Sequence, residues 1–168
     1  MTPPPQTPAQ AAEAIYGILP HAVTCTTLEE YGIEASPEQA QQITREMLSL
    51  SLFWVGTALE AILSDADSNR IFTELRRAIL NTWESEFRLK GHDVHAYFEE
   101  VEQRRSVYDK IMKEGGQPVS IFSETAAILE SARLVRPSER QKVLALFVDL
   151  VPVEQVGAAV EEIDLTGQ

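Results

Sequence analysis

One carboxylate stands inside the longest apolar run of this chain. Between Met47 and Leu63 the sequence reads MLSLSLFWVGTALEAIL, and Glu60 is its only charged residue. A charge in such surroundings needs a partner or an opening to water. Two arginines offer the partner. A later segment carries the apolar stripe Val94, Phe98, Val101, Tyr108, and Arg104 or Arg105 falls where that stripe next turns inward. A guanidinium is a planar fork suited to a carboxylate. The spacing therefore raises a buried ion pair between Glu60 and Arg104 or Arg105 as a hypothesis, a device that more often sets helix register than does chemistry. The plainer expectation has Glu60 at a partly open edge, with both arginines reaching solvent along their stems.

Three other constellations have the residue types for chemistry. His92, His95 and Glu99 could share a metal, since His95 and Glu99 lie one helical turn apart with His92 just before the helix. The third ligand would come from a poorly placed loop, and the chain has no Glu-x-x-His pair of the kind di-iron bundles use. Exposed helix-start polar residues are the plainer reading. His21 and Cys25 could form a nucleophile and base, but no Gly-rich turn surrounds the cysteine, and a small buried Cys is commoner. Lastly, aromatic residues fall on the inward stripes of four successive helices. Trp54, Trp83, Phe87, Phe98 and Tyr108, with Arg105 as a polar contact, could line a bundle cavity for a small apolar or aromatic ligand. An ordinary aromatic core is the alternative. Phosphate-binding loops, Ser-His-Asp arrangements and Cys-x-x-Cys pairs are absent, and no cofactor is expected.

Composition sets bounds on the function. The chain has 168 residues, 44% of them hydrophobic, and a formal net charge of −12. That charge disfavours nucleic acid, whose binding depends on cationic contacts to phosphate, and anionic membrane surfaces. The acid is uneven. Residues 1–69 hold nine acids and one base, residues 70–113 eight acids and nine bases, and residues 114–168 nine acids and four bases. An acidic face for a basic partner is one reading, and a solvated surface the other. The basic residues of 70–90 alternate with Glu74, Glu84 and Glu86, as on a salt-bridged helix face. The single cysteine excludes an intrachain disulfide and suits a reducing cytoplasm. The start, MTPPPQTPAQ, lacks the pattern of a signal peptide.

The elements that must position these residues are helical throughout. The pattern predicts a disordered or extended Pro-rich tail over 1–8, one helical domain over 9–164 and a frayed 165–168. Helices are expected at about 9–18, 37–63, 65–90, 93–114, 119–134, 138–151 and 154–163, with a helical turn at 28–31 closed by Gly32. Ser36-Pro37-Glu38-Gln39 is a capping box with Pro at the first helical position. It makes 37–63 a core helix rather than a membrane span, since the apolar run alone is only at the lower limit for crossing a bilayer. The expected fold is a single all-α bundle of six or seven helices around that long apolar helix. The expected function is non-catalytic and cytoplasmic, acting by association with itself or with a basic protein. A binder of a small apolar ligand is the alternative, and a helical metal enzyme comes third.

Overall fold

The computed structural model describes residues 4–165, and every regular element among them is helical. The fold is an all-α bundle. Its α-helices are α1 (Pro8–Tyr16), α2 (Cys25–Glu30), α3 (Pro37–Ile62), α4 (Asp65–Asn81), α5 (Val94–Lys113), α6 (Pro118–Ser131), α7 (Arg140–Leu150) and α8 (Val153–Glu161), with a 3-10 turn at Pro137–Glu139 before α7. Seven of these correspond to the expected helices, and the six-residue α2 is the expected turn grown slightly longer.

Helix α3 is the axis. Its capping box forms as the sequence predicts, with Ser36 accepting from the Gln39 amide and Gln39 returning to the Ser36 amide. Two apolar stripes run along it. Leu48, Leu52, Val55 and Leu59 pack into a core shared with α1, α4, α8 and the first half of α5. Ala40, Ile43, Met47, Leu50, Phe53 and Trp54 pack into a second core with α2, α6, α7 and Tyr108 of α5. Steps of three and four keep each stripe on its own side of a 3.6-residue helix. The near-continuous hydrocarbon of this segment is thus two amphipathic stripes superimposed.

Several element boundaries differ from expectation for stated reasons. Helix α4 stops at Asn81 rather than near Lys90. Phe87 and Leu89 are both buried, and residues two apart cannot face one core from a continuous helix. The chain turns instead. Thr82 returns its hydroxyl to the Ala78 carbonyl, Arg88 takes a left-handed φ of 54°, and the Trp83 indole donates to the His92 carbonyl. Helix α7 does not start with Ser138 as its cap. Glu139, only 5% exposed, accepts from the Arg136 and Glu34 amides, and so ties the turn before α7 to the loop before α3. The N-terminal tail is shorter than expected. Pro8 already belongs to α1, Thr7 caps it, and the Gln6 amide donates to the Asp164 carbonyl. The remaining tail residues 1–3 and the chain end 166–168 lie outside the described residues. The stretch Pro137–Glu161 is long and apolar enough to cross a membrane by length and composition. Here it is broken at Pro152, and α8 packs along α3.

Helix ends carry the local backbone constraints. Gly115 has φ 84°, and the Gly116 amide reaches back to the Ile111 carbonyl, closing α5 with a Schellman turn. A Cβ at Gly116 would stand 2.6 Å from Ile111 Cγ2 and 2.7 Å from its carbonyl oxygen. Helix α6 closes the same way with Arg133 at φ 58°, a position that suits glycine. In urea melts, Gly116→Ala should destabilise the protein by about 1–3 kcal/mol. Arg133→Gly should stabilise it by about 0.5–1 kcal/mol, because glycine lacks the Cβ clash of the left-handed conformation.

Candidate functional site

The third side of α3 is polar, and it faces α5. Gln41, Arg45 and Ser49 recur every fourth residue, followed by Gly56 and Glu60. At the start of this seam sits His92. Its Nε2 is 3.0 Å from Gln41 Oε1 and its Nδ1 is 2.9 Å from Arg45 Nη1. Arginine can only donate and a carbonyl oxygen can only accept, so the partners call for a neutral ring with its proton on Nε2. The Gln41 orientation is fixed in turn by its Nε2 donating to the Arg88 carbonyl. Burial, and then the Arg45 charge, hold the His92 pKa below the ordinary histidine range.

Arg45 also pairs with Glu100 at 2.5 Å and lies over the Tyr97 ring. The Tyr97 hydroxyl donates to the Arg45 carbonyl and so accepts from Ser49 Oγ, 3.1 Å away. Burial pushes the Tyr97 phenol strongly upward, so it stays protonated. One turn further, Arg104 forks onto Glu46 through Nε at 3.2 Å and Nη2 at 2.9 Å. That hydrogen bond is the main cause of the raised Arg104 pKa. At the far end Arg105 Nη2 donates to Glu60, with Asp109 3.9 Å from its Nε.

The sequence-predicted residues therefore separate. Arg105 meets Glu60, whereas Arg104 is taken by Glu46. The Glu60–Arg105 pair is not buried: the side chains are 50% and 32% exposed. The reason is that α3 outruns its cover, and Glu60, Ala61 and Ile62 are all exposed. The six proposed cavity residues share no cavity. Trp54 and Tyr108 belong to one core, Trp83, Phe87 and Phe98 to the other, and Arg105 lines an outer groove. Helix α3 stands between the two sets. The proposed metal ligands do not converge either. His95 and Glu99 are exposed, both His92 nitrogens are engaged, and no group of three or more His, Cys, Asp or Glu residues is placed to hold a metal among the described residues. His21 packs against Tyr16 and Phe87 with Glu86 3.6 Å away, while Cys25 opens α2 as a free thiol.

Gln41, Arg45, Glu46, Ser49 and Glu100 escaped the sequence reading. The polar i, i+4 repeat through Gln41, Arg45 and Ser49 was the available signal, hidden by the apolar stripes on either side. One open groove borders the seam and another cleft lies away from it. A groove of about 210 Å³ lies where α3, α4 and α5 meet, beside Gly56, Phe72 and Arg105. A cleft of about 510 Å³ lies between the end of α6 and the loop before α3, lined by Glu34, Glu130, Arg133, Arg136 and Glu139. In that cleft Arg136 lies 3.8 Å from Glu34, and both Glu139 oxygens are occupied by backbone amides.

No protein-family model matches this chain, and no curated protein or solved structure matches it.

The seam makes a pH prediction. In the unfolded chain His92 titrates near about 6.5, whereas the folded ring resists protonation. The unfolded state therefore binds the proton more readily as pH falls below that value. Stability should drop from neutral pH toward pH 5 and not respond to this group above neutrality. Thermal melts across that range should show the drop, and His92→Gln, which keeps polar contacts but does not titrate, should flatten it.

Proposed function

We propose that this protein is a non-catalytic binding module whose acidic face engages a basic protein partner in the cytoplasm. One observation carries the reading. Residues 1–44 and 143–168 contain ten acidic residues and no lysine or arginine, and all ten are exposed. The fold supports their acting together. The Gln6 amide bonds the Asp164 carbonyl at 2.8 Å, α1 packs beside α8, and Tyr31 donates to Asp149 across to α7. Half of the fourteen lysines and arginines are committed to carboxylates. Arg45, Arg104 and Arg105 on the seam, and Arg70, Arg77, Arg136 and Arg140 outside it, each lie within 4.0 Å of a carboxylate of the same chain. Surplus negative charge therefore faces water, where it steers a basic partner.

A basic partner is favoured over a second copy. The exposed large apolar residues Ile62, Leu80, Val107, Val119 and Val148 are spread over five helices, and a chain of net charge −12 repels its own kind.

Light scattering on the purified protein should give a monomer of 18.7 kDa, and a stable dimer would favour self-association instead. A fluorescent Lys- and Arg-rich peptide should bind with an affinity that falls as salt rises. Reversing Glu154, Glu161 and Glu162 to lysine should weaken that binding by about tenfold, roughly 1.4 kcal/mol. Reversing Glu84 and Glu99, in the charge-balanced middle, should leave it nearly unchanged. Equal losses from both sets would sink the proposal.

A further inference from the structure

The groove between α3, α4 and α5 contains groups that the fold leaves without partners. Ser68 of α4 lines it and is only 6% exposed, yet its Oγ makes no hydrogen bond among the described residues. A helical hydroxyl can satisfy itself by turning back to the carbonyl four residues earlier. Ser51, Thr73 and Thr125 do so here, and Ser68 does not. A buried hydroxyl left unpaired is costly, and the groove that Ser68 lines gives room for a group that completes it.

The charges around the groove are arranged the same way. Arg76 lies with its guanidinium 4.4 Å above the Phe98 ring, and no carboxylate comes within 4.0 Å of it among the described residues. Glu102, on the facing helix, has no cation within the same distance among the described residues, and acts on Arg105 only through its longer-range charge. Both line the groove without reaching each other. Arg105, by contrast, is already held by Glu60 and Asp109. Gly56 keeps the wall on the α3 side bare, since a Cβ there would stand 3.8 Å from Arg105 Nη1 and 4.0 Å from the Phe72 ring. The groove thus offers one cation held only by an aromatic ring, one anion without an ion pair inside 4.0 Å, one unpaired hydroxyl and an aromatic edge.

We propose that this groove binds a small zwitterion, an α-amino acid with a short side chain. Its carboxylate pairs with Arg76, its ammonium pairs with Glu102, and Ser68 Oγ hydrogen-bonds one of the two. Phe72 supplies the apolar contact. A volume of about 210 Å³ is below the roughly 300 Å³ at which pockets for drug-sized molecules begin, which restricts the occupant to this size. The site is independent of the acidic face, and its readouts are separate from peptide binding.

The test is an NMR titration of the full chain with free L-alanine, L-serine and L-valine in turn. The backbone amides of Gly56 and Ser68 serve as reporters. At least one amino acid should give saturable shifts at both positions. Its N-acetyl and carboxamide derivatives, each lacking one charge, should bind about tenfold more weakly or worse. Arg76→Gln and Glu102→Gln should each weaken binding to a similar degree. Ser68→Ala should also weaken binding, yet melt no lower than the parent, because the hydroxyl it removes has no partner in the free protein. Absence of saturation with all three amino acids overturns the proposal. Equal binding of the N-acetyl form, or of inorganic phosphate, would reduce the site to an anion contact at Arg76 and overturn the zwitterion. A Ser68→Ala protein that melts lower, or binds as well as the parent, removes the hydroxyl from the site and overturns its role.

Discussion

Helix α3 has no face left for water along its middle. From Met47 to Gly56 ten consecutive residues are buried. A helix satisfies its own interior backbone groups, so the backbone tolerates this burial; the side chains then demand cover on every side. That demand explains the rest of the molecule. One apolar stripe requires α1, α4 and α8, the other requires α2, α6 and α7, and the remaining side requires α5. A two-layer arrangement would leave one stripe wet, at a cost of about 1.5–3 kcal/mol for each large side chain exposed.

The α3–α5 contact is where polar groups enter the interior, and there they are nearly all satisfied. Ser49 meets Tyr97 and Glu46 meets Arg104 there, while on the other side of α5 Tyr108 meets Thr125 of α6 at 2.7 Å. Such pairs fix how far one helix slides along the other, because a shift of one turn would strand several buried groups at once. Thr44 plays a similar part for the loop after α1: it accepts from the Val23 amide and anchors that irregular segment to α3. The Trp54 indole nitrogen is an exception, buried without a hydrogen-bond acceptor among Phe53 and Phe122. Ser68 is another, and it differs from Trp54 in opening onto a groove rather than onto aromatic rings.

Charge follows from the same architecture. Arginines on the seam are consumed by carboxylates of the same chain, and of the ten acids in the base-free stretches only Glu34 has an arginine within 4.0 Å among the described residues. Packing α1 against α8 then joins the two base-free stretches of the chain. The α3–α4–α5 groove is thus a consequence of how α3 is covered.

By itself the sequence determined what depends on neighbours within one helical turn. Ser36 with Gln39, Asp93 before α5, and Gly115-Gly116 after it mark helix ends through local hydrogen bonds and backbone conformation, and these ends fall where the residues place them. The apolar periodicity likewise determined that the protein is an all-α bundle around α3. Partner choice was not legible. That Glu46 rather than Glu60 receives Arg104, that Phe87 and Leu89 bend the chain out of α4, and that Glu139 captures the Glu34 amide from 105 residues away depend on which faces meet. Those choices belong to the tertiary structure, because a side chain's local propensity carries no information about the surface that will be packed against it.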